Sequence, residues 1–534
     1  MSNFKVNYGK TEAIGIEVKL EELEQIKTNF DFRWTDSHIN YLGTKITGCL
    51  NRLFELNYVP LARRTKTDLD KWDKGTFTWF GRTNILKMNV LPKMLYIIQA
   101  LPIKIPQSYL KELRSRFLKF MWAGKPARIS RTILSLPKGK GGIGFPDLIK
   151  YQEAAHLAKV VDWCGQKEKP WIKMEQATVE VPLEGLAWTP DREITSEVKK
   201  HPTIGATIRI IKKIFVKTKL SEDPSPLAPI LGTNAFRMGL TDPKFKALQQ
   251  RGIYRVMHFS KDNRLMTRGE MEREGMQELD FLRLMQLDAF LRTKIGVYNI
   301  IRNPSKFEQT CLEGKSIRHS LSHFYVMLTN LDTPQEFKFI QEWERDLKLT
   351  FTQEQKDKIL RFTHKASVAS KYEEGSYKIL TRWYRTPAVL HRIYPETSEV
   401  CWRCLEAEGT LVHIWWECRK IQEFWQMTLK TIEKITGFNL ADKPSAVLLL
   451  DIPMTMEKYQ NSLLRHLIIA ARACIPVLWK QEIPPSRAQW LAKVAEIQQM
   501  ESLTMTLKDQ DERYQSIWAP YERYREGMAR GSGE

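Results

Sequence analysis

Cys401, Cys404, His413 and Cys418 lie within eighteen residues at the spacing C-x2-C-x8-H-x4-C. Three thiols and one imidazole make a complete tetrahedral donor set, so these four are the expected zinc ligands. Two other chemistries are open to the same residues. They can be plain buried thiols, or a pair can oxidise to a disulfide, which calls for an oxidising compartment. Aromatic and basic side chains crowd the motif, among them Trp383, Tyr384, Arg385, Trp402, Arg403, Trp415, Trp416, Phe424 and Trp425. Rings beside cations grip single-stranded nucleic acid, and Arg403 and Trp415 are the expected contacts. The same rings can instead fill the core of a small domain.

A second feature is charge. The 534 residues carry 83 Lys and Arg against 62 Asp and Glu, a formal net charge of +21. Residues 51–150 hold twenty of those cations and only six acids. Arg63, Arg64, Lys66, Arg82, Lys87, Lys93, Arg114 and Lys119 lie there among Trp72, Trp79, Phe80, Phe117 and Trp122. A helical surface of this kind can track a phosphate backbone, with cations outward and rings beneath. The plainer reading is a solvated helix over an aromatic core. Asp68, Asp70 and Asp73 read as part of a solvated face.

Other chemistries find no support. The glycines at 139, 141, 142 and 144 do not form G-x-x-x-x-G-K-[ST], which argues against a nucleotide-binding loop. His319 and His323 are four apart without the Glu of H-E-x-x-H and read as a surface or satisfied pair. No G-x-S-x-G elbow is present. The stretch Leu463 to Trp479 is interrupted by Arg465, His466 and Arg472, so it reads as a buried amphipathic helix, and no membrane is expected. Scattered cysteines and a polar start point to an intracellular chain, cytoplasmic, nuclear or both.

The elements that must hold these residues are mainly α. Residues 1–50, with Gly9, Gly15 and Gly43 punctuating β-branched and aromatic runs, suggest short strands and turns. From 51 the period becomes helical: Leu110, Leu113, Phe117 and Met121 share one face, and Pro92 predicts a break or kink near Leu91. Helices are expected at 279–293 and 334–346. "SEDPSPLAPILGTN" marks a boundary inside the middle region. The expected domains are a β segment at 1–50, a basic helical domain at 51–150, a helical middle at 151–375, a zinc-stabilised module at 376–445 and a helical tail at 446–534.

Taken in order, these blocks resemble the C-terminal half of the reverse transcriptase of LINE-type non-LTR retrotransposons. "FKVNYGKTEA", with Asn7, Lys10 and Glu12, is similar to the segment that follows that enzyme's catalytic hairpin. "INYLGTKIT" resembles its primer-grip strand through Tyr41, Leu42 and Gly43. "KWDKGTFTWFGRTNILKMNVLPKMLY" is similar to its thumb, with Trp72, Gly81, Arg82, Lys87, Leu91, Pro92 and Tyr96 in place. "FMWAGKPARIS", "GKGGIGFPDL" and "RTPAVLHRIYP" continue the likeness, and the Cys–His run resembles the family's C-terminal zinc-knuckle-like region. The likeness covers nearly the whole chain and is weakest over 160–330.

The resemblance implies a palm remnant at 1–50, a thumb at 51–150, and contact with RNA or an RNA–DNA hybrid through Tyr41–Gly43 and the thumb cations. It also implies a missing activity. Polymerase chemistry needs paired carboxylates holding two metal ions, and the sequence has no Asp-Asp pair. The expectation is a catalytically inactive, 5′-truncated remnant that binds RNA without reading its sequence. Two alternatives stay open: a partial reading frame of an active RNA-directed DNA polymerase, or a zinc-stabilised interaction module or pseudogene product with no retained activity.

Overall fold

The computed structural model describes residues 6–165, 168–179, 181–220, 225–292, 302–313, 319–365, 367–440, 443–452 and 457–531. It is mainly α, 62% helical and 4% strand. Part of the proline-rich break at 221–234, the last residue of the expected 279–293 helix and the end of the chain (532–534) lie outside the described residues. The chain forms two compact units. One comprises residues 1–70, 89–116 and 147–331, the other 71–88, 117–146 and 332–534. The contiguous blocks expected from sequence therefore do not coincide with the units: 51–150 divides between them.

In the first unit, residues 1–50 supply short strands. Glu12–Ala13 pairs in parallel with Arg33–Trp34, and Ile39–Tyr41 pairs antiparallel with Thr44–Ile46. Leu42 and Gly43 form the two-residue hairpin tip, both left-handed at φ 47° and 79°. Two successive positive φ values match a type I′ turn, whose twist suits a hairpin. The helix Leu20–Asn29 was not expected. Glu21 and Glu22 stand at its N-terminal end and Lys27 at its C-terminal end, complementing the helix dipole, and it buries no residue. Val6, Tyr8, Ile16 and Phe30 leave this segment with exposed apolar surface.

Asn57 stitches the hairpin to the helix Leu53–Trp72. Its amide accepts from Lys45 N at 2.8 Å and donates to Lys45 O at 2.8 Å. Tyr96, on the helix Leu91–Ala100, donates to Leu42 O at the hairpin tip. A π-helical turn, Leu86–Val90, precedes that helix and Pro92 occupies its first turn; the chain stays helical through Leu91, with a π distortion just before it rather than a break. Farther along, the helix Leu148–Gly165 buries Leu157, Val160, Val161 and Trp163 against the helices Ile204–Lys217, Lys306–Glu313 and Ser320–Asn330. His156 sits in that core, 2.9 Å from the Thr207 hydroxyl. A further core gathers Phe236, Phe245, Phe259 and Phe290, the last from the helix Phe281–Phe290, which falls within the expected 279–293.

The second unit has one large core. Trp343, on the helix Lys338–Leu347, packs in it with Trp415, Trp425, Trp490 and Trp518, all fully buried. The helix Ser370–Leu380 lies against Trp79–Ile85: Thr78 Oγ1 donates to Ser370 Oγ at 3.0 Å, and Trp79 N donates to Glu374 at 2.6 Å. The glycine-rich turn is a packing turn. Tyr377 donates to Gly141 O at 3.0 Å, and a Cβ on Gly142 would fall 2.1 Å from Leu136 O.

The segment Lys458–Leu478 is long and apolar enough to cross a membrane by length and composition, but it is mostly buried, as expected of the amphipathic helix read from its interrupting charges. In this unit it is a core helix. Leu463, Leu464, Leu467 and Ile468 are buried, and Arg472 donates to Leu448 O at 2.7 Å.

Candidate metal centre

The four ligand positions come from three short pieces of backbone. Cys401 and Cys404 lie in a tight turn closed by a small antiparallel bridge, Val400 with Glu408, and by Cys401 N donating to Ala407 O at 2.8 Å. Leu405, just past the second cysteine, is left-handed at φ 61°, a conformation a branched side chain adopts only when its surroundings hold it there. Gly409 ends the turn beside Pro387. A Cβ at 409 would stand 2.5 Å from the proline ring, so only glycine permits that approach.

His413 and Cys418 are brought to one face by a π-helical turn, His413–Glu417, in which Cys418 N donates to His413 O at 2.8 Å. The wider π turn carries residues five apart onto the same side, which a regular α-helix would not. Cys418 then stands at the N-terminus of the helix Arg419–Thr436.

The four ligand atoms lie within 4.8 Å of one another and all four residues are buried. Cys404 Sγ and His413 Nε2 are 3.4 Å apart. Among the described residues no other group of three or more His, Cys, Asp or Glu gathers in this way. The cluster could hold a metal ion, and its surroundings favour thiolate ligands unevenly. Burial raises the Cys401 thiol to about 11, against the backbone N–H groups of Cys404 and Arg403, which lower it. Burial also raises Cys404, but the N–H groups of Ala407 and Glu406 and the His413 ring outweigh it and bring that thiol down to about 6.

Arg403, between the two cysteines, was expected at a nucleic-acid surface. The structure buries it at 1% exposure. Its Nη1 donates to Ile414 O at 3.2 Å, while Nε and Nη2 have no hydrogen-bond partner. Burial lowers its pKa and the neighbouring Cys418 and Cys401 raise it. A buried guanidinium without an anion is costly. Three thiolates and an imidazole around a dication carry one net negative charge, and the orphaned guanidinium is a fitting counter-charge for it.

Trp415 is likewise corrected from surface to core. It is fully buried, its carbonyl accepts from Trp425 Nε1 at 2.7 Å, and its ring lies against Tyr384 and Trp479. Of the rings around the motif, Trp383, Tyr384, Trp402 and Trp416 are only partly buried.

The other expected contacts divide between the units. In the first, Tyr41 and Leu42 are exposed at the hairpin tip with Gly43, and Arg63, Arg64 and Lys66 are exposed on the helix Leu53–Trp72. Lys93 is exposed and pairs with Asp68 at 2.7 Å; Arg114 is half-buried. In the second, Lys119 is exposed and Trp72 packs edge-on against Phe77. Arg82 is not a surface cation. It is 5% exposed, donates to Asp73 at 2.5 Å and Phe120 O at 2.9 Å, and lies over the Phe120 ring. Asp70 and Asp73 are exposed and Asp68 is half-buried, and on this largely solvated face Asp73 and Asp68 also serve as ion-pair partners. Lys87 is exposed at its surface, yet its amine sits where a Cβ on Gly144 would reach within 2.8 Å. Burial and then Lys138 lower its pKa. His319 and His323 are exposed, as expected. No family model matches the chain.

Proposed function

We propose that this chain is the nucleic-acid-holding portion of a LINE-type reverse transcriptase, with zinc organising its C-terminal module. It binds RNA or an RNA–DNA hybrid through backbone phosphates, without sequence reading, and has no polymerase activity by itself. The observation that carries this reading is the closed Cys401, Cys404, His413, Cys418 set. Soft thiolates with one imidazole select zinc over the hard cations that carboxylates prefer, and four protein ligands leave no open position for catalysis. The metal's role is structural, because Cys401, Cys404 and Cys418 belong to the same core as the surrounding helices.

Binding is assigned to the first unit. The exposed hairpin tip Tyr41–Gly43 and the exposed cations Arg63, Arg64 and Lys66 support it, as does the ordered resemblance to a primer grip and thumb. The absence of an Asp-Asp pair in the sequence supports the inactive reading.

The test is a titration of single-stranded RNA at two salt concentrations. If those three cations each neutralise a phosphate, the slope of log K against log salt is about −2, or roughly a twentyfold loss between about 50 and about 200 mM. Reversing all three to Glu removes that dependence. A flat salt response in the unaltered chain rejects the nucleic-acid assignment. Incorporation of nucleotides on a primed RNA template rejects the inactive one.

A further inference from the structure

Within the second unit, the helix Ser370–Leu380 and the segment Lys458–Leu478 border a half-open cleft of about 220 Å3. Its charged lining is Lys371, Lys378, Arg472 and Lys493 with one carboxylate, Glu374. Glu374 is engaged by Lys378 and by Trp79 N. Glu496, outside the lining, pairs with Lys371 and, at 3.2 Å, with Lys493. Two carboxylates therefore face four cations.

Arg472 is the most constrained of the four. It is 3% exposed, and its two hydrogen bonds go to neutral oxygens, Leu448 O at 2.7 Å and Ser376 Oγ at 2.6 Å. Its Nε, also buried, has no partner. A buried cation held only by neutral groups is stable when an anion completes its surroundings. Burial lowers its pKa to about 9, which an anion would oppose.

Gly375 gives a second, independent indication. It lies in the interior of the Ser370–Leu380 helix, where glycine is a poorer residue than alanine. No atom stands within 4 Å of the place a Cβ would take, so packing does not require a glycine there. Gly375 lines the cleft, and the missing side chain keeps it open. The other wall is apolar, built from Ile379, Ile469, Pro476 and Val477 with Tyr384.

We propose that this cleft binds a small phosphorylated molecule, a phosphomonoester whose phosphate meets Arg472, Lys371 and Lys493 and whose body rests on the Tyr384 and Pro476 wall. The volume is below the roughly 300–1,000 Å3 of drug-sized pockets, so it takes a phosphate and the atoms adjoining it rather than a dinucleotide. A terminal phosphate suits a half-open cleft better than an internal phosphodiester, which needs an exit for the chain on both sides.

The test uses the full chain and two probes, inorganic phosphate and adenosine monophosphate, titrated calorimetrically at constant ionic strength. The expected result is saturable binding of both, tighter for the nucleotide. Gly375→Leu fills the cleft and weakens both by at least about tenfold. Its zinc content and melting temperature check that it is folded. Lys493→Gln is the milder variant and weakens both by about threefold or more. No saturable binding of either probe overturns the assignment. So does binding that both variants leave unchanged, or an unchanged affinity in Lys493→Gln should Gly375→Leu fail to fold. Binding of an RNA oligonucleotide that Gly375→Leu abolishes, with neither small probe binding, also overturns it and makes the cleft an RNA-phosphate contact.

Discussion

Replacing Arg403 with Met separates the loaded metal centre from the empty one by the size of its effect. The guanidinium is buried, with a single hydrogen bond to Ile414 O and two nitrogens unpartnered. Around zinc, three thiolates and one imidazole leave one negative charge for it to face. At a separation of about 5 Å and an effective dielectric near 20, that attraction is about 3 kcal/mol. Part of it is offset by desolvation, and supporting residues around metal ligands typically contribute about 10–100-fold in affinity. Arg403→Met should therefore weaken zinc binding by about 10–100-fold, or about 1.4–2.7 kcal/mol. Without metal, Cys404 alone leans toward the thiolate, so the guanidinium faces a smaller counter-charge and the same change costs the stripped chain less than the loaded one. The assay is competition with a chromogenic chelator, paired with thermal melts of the loaded and stripped protein. Zinc affinity within about threefold of the unaltered chain, or a stripped form destabilised as much as the loaded one, refutes the counter-charge argument.

Three further outcomes follow from individual contacts. Gly409→Ala drives a Cβ to 2.5–2.8 Å from three atoms of the Pro387 ring, which cannot swing aside. It should cost about 1–3 kcal/mol and loosen hydrogen-exchange protection around 399–409. Asn57→Ala leaves the part-buried Lys45 N and O without their side-chain partners. A loss of about 1–3 kcal/mol is expected in denaturant melts, with weaker RNA binding through the displaced hairpin tip. Burial holds His156 neutral, its pKa down at about 3. The unfolded chain takes up that proton first, so this residue's contribution is complete above about pH 6.5 and is lost as pH falls toward 3. Between pH 7 and about 5.5 the loss is about 1 kcal/mol, and melts of His156→Gln should show a correspondingly shallower acid slope.

The Cys–His cluster was legible because its signal is local: four soft donors at knuckle spacing need no tertiary information. Arg403 was not. An arginine flanked by cysteines reads as an exposed cation unless the anionic charge of a filled site is considered at the same time. Trp415 and Trp416 are neighbours, and the π turn at His413–Glu417 turns the first fully inward, a rotation that helical periodicity alone does not reveal. Leu110, Leu113, Phe117 and Met121 announced their helix because all four are buried on one face. The Leu20–Asn29 helix carries only a short apolar stripe, Leu20, Leu23 and Ile26, and buries none of it, so its terminal charges were the other local signal. The units stayed hidden for a different reason. Contacts such as Trp79 with Glu374 join residues 295 apart, and nothing in either local sequence names its partner.

X-ray absorption at the zinc edge, combined with metal analysis of the purified chain, tests the metal centre most directly. One zinc per chain is the predicted result, with three sulfur neighbours at about 2.3 Å and one nitrogen at about 2.0 Å. A metal-free chain whose Cys401 and Cys404 are joined as a disulfide, or a zinc surrounded by oxygen, would contradict it.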